Sequence, residues 1–407
     1  MPTPTRPAAA PSYRALVAVP GLARLGIASL AARTAASMLQ VALVLLMLQR
    51  FRSPTLAGVA AFVFMGLGLA LSPLAGALLD RRGRTRLIAL DYAVAAAGFG
   101  LLAALSSGGA IGPALSLLVV AAASVTTPLS TVGTRTLVPL VVPRHLWDRA
   151  NAADSGGYVV ATLVGPAIAG LIAGAHDASL AVGTAAGLFA AASVVVTGVA
   201  EPPGSGAEGS LLAEAIEGVR YVMREPALRG LGITLSVFNL SYGAVLVALP
   251  VIVLRDLRGG SSAVGLLFST MGLCGIVSAV VTGRFRSEDR ERSFLVAGIA
   301  ASVPGLALIA VAPSVLVAGI GLAIVGAANG PIDIGLFGMR QRRTDPSRLG
   351  AAFAVSMSFN FAGVPAGSAL AGPVAAHSAR LAMGAGIAVC VVAIWLAAAT
   401  LPSEHSR

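Results

Sequence analysis

The sequence predicts an all-α membrane protein of twelve transmembrane helices arranged as two pseudo-symmetric six-helix bundles. Three observations lead there. Of 407 residues, 57% are hydrophobic and only 11% charged, too little charge to cover a soluble surface of that size. Apolar stretches of about 20 residues, enough to cross a ~30 Å hydrocarbon core as a helix, recur from end to end. Short matches also recur between the two halves in constant order.

The stretches lie near residues 21–48, 55–79, 87–106, 113–139, 152–174 and 178–199, then 230–254, 262–283, 294–312, 314–338, 351–373 and 380–400. They are rich in Ala, Gly, Leu and Val without strict alternation, so helices rather than barrel strands satisfy their backbone in lipid. Leu25-Gly26-Ile27 returns as Leu231-Gly232-Ile233, and Met65-Gly66-Leu67 with Ser72 as Met271-Gly272-Leu273 with Ser278, each 206 residues later. Arg149, Pro166 and Ala167 return as Arg348, Pro365 and Ala366 after 199 residues. That order indicates duplication. The expected division is an N-terminal bundle over 1–200, a linker over 201–229 and a C-terminal bundle over 230–407.

The net charge of +11 comes from 28 basic residues, all arginine. They cluster in the loops around 81–86, 144–149, 220–229, 284–292 and 340–348, while the opposite side keeps only Arg50, Arg52, Arg255, Arg258 and Arg380. The asymmetry orients a multi-pass protein with both termini in the cytoplasm, and the absence of lysine points to a GC-rich bacterial source, hence a bacterial cytoplasmic membrane. Without interleaved aromatics, the arginines do not indicate a nucleic-acid partner. The polar, Pro-rich first 14 residues read as a short cytoplasmic tail. In the linker, Leu212, Ile216, Val219 and Met223 recur at helical spacing opposite Glu214, Glu217, Arg220 and Arg224, an amphipathic helix for the cytoplasmic membrane surface.

Cys274 and Cys390 fall inside apolar spans and read as small buried hydrophobes. His145, His176, His377 and His405 avoid mid-membrane positions, and no H-E-x-x-H, G-x-S-x-G or acidic cluster occurs. No metal, no cofactor and no enzymatic activity are expected.

Between spans 2 and 3 the chain reads GALLDRRGRTR. Gly76, Asp80, Arg81, Gly83, Arg84 and Arg86 reproduce the G-x-x-x-D-R-x-G-R-x-R signature, in the expected loop, so the chain resembles the major facilitator superfamily. Residues 137–170 and 340–372 are similar to spans 4–5 and 10–11 of its drug and siderophore exporter branch. The resemblance implies a monomeric secondary transporter that moves a small organic solute by alternating access. Export coupled to protons is its default, with uptake or a non-transporting sensor as the alternative. It also implies that Asp80 meets the N-terminal end of span 11, near Leu349 and Gly350, and latches the outward-facing state. Gly165, Pro166 and Gly170, with Gly157 upstream, resemble the glycine–proline motif of antiporter span 5 and are expected at close helix contacts. The motif's closing glycine pair is absent, and Arg135 does not match the span 4 antiporter signature.

Polar residues inside spans are costly and mark candidate sites. In span 1, Ser29, Arg33, Ser37 and Gln40 share one face, and Arg33 lies nine residues beyond Arg24, roughly 13 Å deeper. It must face water or a partner. Span 4 carries Ser124, Thr127, Thr131 and Thr134, whose hydroxyls can also bond their own helix. Span 7 carries Ser236, Asn239 and Tyr242, with Asn239 the repeat counterpart of Arg33, and span 10 carries Asn329 and Asp333. In the resembled fold these four spans line the central cavity. The expected solute contacts are therefore Arg33, Ser37, Gln40, Thr127, Thr131, Asn239, Tyr242, Asn329 and Asp333. Asp333 is the first candidate for proton coupling, unless it pairs with Arg340 seven residues on. Asp91 is the second and is expected at the membrane interface.

Overall fold

The computed structural model describes residues 13–200, 211–285, 288, 290–344 and 349–402, apart from the side chains of a few helical residues, among them Asp80 and Arg81. A short α1 (Tyr13–Val17) precedes α2 (Leu22–Phe51), α3 (Pro54–Arg82), α4 (Arg84–Ser107), α5 (Pro113–Ser124), α6 (Thr127–Val141), α7 (Trp147–Ala175) and α8 (Ala178–Thr197). After α9 (Leu211–Arg224) come α10 (Pro226–Val251), α11 (Ser261–Thr282), α12 (Glu291–Val311), α13 (Val315–Arg343), α14 (Leu349–Phe361), α15 (Gly363–His377) and α16 (Ala379–Thr400).

Among the described residues, eleven segments are long and apolar enough to cross a membrane, α5 and α6 counting as one. The predicted eleventh span is two abutting helices, α14 and α15, rather than one continuous helix, and span 4 is likewise interrupted between Ser124 and Thr127. Each break lies just before a proline, Pro128 or Pro365, which has no N–H to donate to the Ser124 or Phe361 carbonyl, although Pro139, Pro166, Pro250, Pro304, Pro331 and Pro373 are carried within helices. Elsewhere the turns are tight. Ser53, Asp177 and Ser378 accept hydrogen bonds from Leu56 N, Leu180 N and Leu381 N as helix caps, Pro54, Pro113 and Pro226 begin helices, and Gly83 turns between α3 and α4 with φ +88°.

The helices form two groups. In the first, α2 packs on α3, α7 and α8, and α4 on α5, α6 and α8. In the second, α10 packs on α14, α15 and α16, and α13 on α11 and α12. The repeat counterparts α2 and α10 are the most enclosed helices of the two groups. Arg24 Nη1 donates to Gly198 O at 2.9 Å and Arg292 Nη2 to Ala398 O at 2.6 Å, so both ends of the described chain sit at the same end of the bundle. Between the groups, α9 is anchored by Val222, 1% exposed, against Leu228 and Val355. Ile216, Val219 and Met223 stay exposed along its flank.

Candidate solute pathway between the two helix groups

The two groups touch through α7 on α11 and α3 on α15, and glycine sets how closely. A Cβ on Gly170 would stand 2.5 Å from Gly265 Cα and 2.6 Å from its nitrogen. One turn on, a Cβ on Gly174 would fall 2.9 Å from Ser262 N. On the other seam, Gly58 abuts the Ser368 carbonyl and Gly372. Only backbones without side chains approach so near. All these contacts lie at the end away from the termini. There Gln49 Nε2 donates to Ser261 Oγ at 3.0 Å and to Ala173 O at 3.2 Å, while its Oε1 accepts from Ala178 N at 2.8 Å. One side chain thus ties α2, α7 and α8 to α11. Deeper, Ser269 Oγ donates to Leu163 O at 2.7 Å.

Beyond that point the seams loosen. A Cβ on Gly272 would meet α7 only at 3.7 Å or more, and one on Gly66 would meet Pro365 at 3.6 Å. Residues 151–160 of α7 are mostly exposed. Among the described residues, the groups are therefore tightly closed at one end and more loosely packed towards the end carrying the termini.

The predicted polar residues divide on this frame. Arg33 Nη2 binds Asp154 Oδ1 at 2.7 Å and Arg33 Nη1 binds the Asp154 carbonyl at 2.9 Å, the side chains being 20% and 33% exposed. Asn239 repeats the arrangement in the second group, its Nδ2 donating to Asn360 Oδ1 at 2.7 Å and to Asn360 O at 2.8 Å. Each bridge joins residues 121 apart in sequence, so one architectural tie is ionic in the first half and neutral in the second. Tyr242 lies within electrostatic reach of Tyr158, on α7 of the other group. Asp333 is solvent-exposed. It lies about 140° around α13 from the exposed Ile320 by helical geometry. Gln40 and Asn329 are partly accessible and Thr131 exposed.

Other expectations are corrected. Ser37 is 8% exposed and packs on Gly165, so it belongs to the α2–α7 contact. Ser124, Thr131 and Thr134 donate to Val120, Thr127 and Ser130 carbonyls of their own helix, as hydroxyls in lipid readily do. Thr127 packs on Gly68. Asp333 forms no pair with Arg340, since seven residues of helix separate them by about 10 Å. Asp91 is buried, 2% exposed. Gly157 is no tight contact, its nearest neighbour standing 3.9 Å from a built Cβ, whereas Gly165 meets Thr34 O at 3.0 Å. Pro166 is buried, and its carbonyl abuts Gly265. In the signature loop, Arg84 Nε donates to Thr136 Oγ1 at 3.1 Å and Arg86 is exposed. Gly76, Asp80, Arg81 and the expected contact with Leu349 and Gly350 fall outside the described side chains.

Sequence reasoning missed Asp154, Asn360, Tyr158 and Gln49. Asp154 was findable as an acid in the first half of span 5. The other three carry no charge to mark them.

The family model described as Major Facilitator Superfamily matches residues 25–285 and again 231–407. An uncharacterised MFS-type transporter, y4rN of Sinorhizobium fredii, is 38% identical over 373 residues, 90% of this chain and 91% of that protein. The multidrug efflux pump Tap of Mycolicibacterium fortuitum is 27% identical over 322 residues, 75% of this chain and 77% of the pump. Among solved structures, the nucleoside transporter NupG superposes with TM-score 0.76 at 13% identity, covering 93% of this chain and 98% of that one. A bacterial homologue of the human lysosomal transporter Spinster, inward-facing and unoccupied, gives TM-score 0.71 at 14% identity over 99% of both chains. The chain belongs to the major facilitator superfamily.

Proposed function

We propose that the protein exports a small organic solute across the bacterial cytoplasmic membrane by alternating access, coupled to protons. The observation that carries this reading is the pair of seams, closed at Gly58 and Gly170 and loose towards the termini, around accessible polar side chains in the protein interior. With the arginine-rich loops cytoplasmic, the open end faces the cytoplasm. The segments 1–200 and 230–407 then rock as two bodies about the interior, joined by 201–229. Arg33 with Asp154, Gln40, Asn239 with Asn360, Tyr242, Asn329 and Asp333 are the residues a solute would meet. Export is supported by the relatives that are multidrug efflux pumps, at 27–28% identity. The chain acts as a monomer.

The test is flux in proteoliposomes of the purified protein, screened with drugs, siderophores and metabolites under an imposed pH gradient. Accumulation driven by the gradient and lost in Arg33→Ala and Asp333→Asn is expected. Flux indifferent to the gradient removes proton coupling, and unchanged flux in both variants removes the site assignment.

A further inference from the structure

Asp91 lies on α4, two turns inside the arginine-rich loop, and is 2% exposed. Its Oδ1 has no hydrogen-bond partner among the described residues. Its carboxylate faces the break in span 4, where the hydroxyls of Thr126 and Ser130 are its neighbours. Both hydroxyls and the Ser130 backbone amide stand within reach of the carboxylate, although Oδ1 itself takes no hydrogen bond among the described residues. Ser130 Oγ spends its proton on Thr127 O at 3.2 Å, and Thr126 Oγ1 is buried and itself lacks a partner among the described residues. The same break deprives the Ser124 carbonyl of the donor that Pro128 cannot supply.

Among the described side chains, none forms an ion pair with Asp91. The elements packed on α4 are α3, α5, α6 and α8. Neither α5 nor α8 contains a titratable residue, α6 contains only the exposed Arg135, and α3 ends in Asp80, Arg81 and Arg82 at the loop that leads into α4, the first two with side chains outside those described. On α4 itself, Arg84 and Arg86 are at the loop, and Tyr92 stands within electrostatic reach of Asp91, Arg33 and Asp154. Arg33, the nearest interior cation, is committed to Asp154 at 2.7 Å. A bare carboxylate sealed away from water costs several kcal/mol. It persists in a membrane span when a cation sits on it, and a broken helix with hydroxyls and freed carbonyls is the surrounding that binds small cations at mid-membrane depth.

We propose that Asp91, with the Thr126 and Ser130 hydroxyls at the span 4 break, forms the site that binds the coupling monovalent cation, a proton or sodium. The inference rests on the transporter reading above and moves the coupling site from Asp333 on α13 to the α4–α6 junction. The decisive readouts need no transported solute, so failure of the transporter reading would leave them intact. Infrared difference spectra of the purified full-length protein between acid and alkaline buffer would show a protonated-carboxyl band that disappears in Asp91→Asn and shifts in Thr126→Val. Alternatively, binding of radiolabelled sodium by the protein would be stoichiometric and abolished in both variants. The first result assigns a proton, the second sodium. If the carboxyl band is the same in wild type, Asp91→Asn and Thr126→Val, and sodium does not bind, the proposal is overturned. Should Asp91→Asn not fold, the Thr126→Val spectrum alone decides, because a structural hydroxyl would leave the band in place.

Discussion

Gly170→Ala is the smallest change that probes the closed end. The added methyl would lie 2.5 Å from Gly265 Cα, 2.6 Å from Gly265 N and 2.8 Å from Ser261 O. All three are backbone atoms and cannot rotate away. Ordinary contact begins near 3.4 Å, so α7 and α11 must part by about 1 Å at the point where the halves meet. Overpacking of this kind costs about 1–3 kcal/mol. Here it falls only on the closed state, because the opposite state separates these helices. The equilibrium should therefore move roughly 5–150-fold towards opening at that end. The assay is reaction of Gln40→Cys, in a background lacking Cys274 and Cys390, with a membrane-impermeant thiol reagent applied to intact cells. Gln40 lies two to three turns deeper than Gln49 on the same helix, so the reagent reaches it from outside only when the seam opens. Faster labelling in Gly170→Ala is expected. An unchanged rate in a folded, membrane-inserted variant would refute the reasoning that this glycine pair seals the outer end.

Gln49→Ala removes the cross-group bond to Ser261, worth about 1 kcal/mol net, and should raise the same labelling rate about 5-fold. Ser261→Ala should match it, and the double variant should add nothing further. Arg33→Ala or Asp154→Ala strands one partly accessible charge and should lower the unfolding temperature, while the double variant recovers part of the loss. A coupling of about 1 kcal/mol in that cycle is expected for a pair of intermediate exposure. Asn239→Ala, which leaves no charge behind, should cost less stability than Arg33→Ala in the same thermal scan.

Much of the architecture is legible in the sequence, because span length, arginine distribution and the 206-residue repeat each reflect a strong physical constraint. The repeat even pairs Arg33 with Asn239 before their partners are known. Its limits are as physical. Span 4 and span 11 read as continuous because apolarity does not sense a missing donor, although Pro128 and Pro365 carry that information locally. The pairing of Arg33 with Asp154 crosses 121 residues and is set by the crossing of α2 and α7, which helical periodicity does not report. Gly157 and Gly170 look alike in a motif, yet only the second faces another helix group. The signature loop identifies the family from its residues alone.

Alternating access is tested most directly by tying the closed end shut. Gly174 and Ser262 face one another across α7 and α11, with a built Cβ on Gly174 3.1 Å from Ser262 Cβ, and a disulfide needs about 3.8 Å, within reach of a small adjustment. Gly174→Cys with Ser262→Cys, in the background lacking Cys274 and Cys390, should cross-link on mild oxidation. Solute flux in proteoliposomes should then stop and return on reduction. Undiminished flux through fully cross-linked protein would contradict a mechanism in which that end must open.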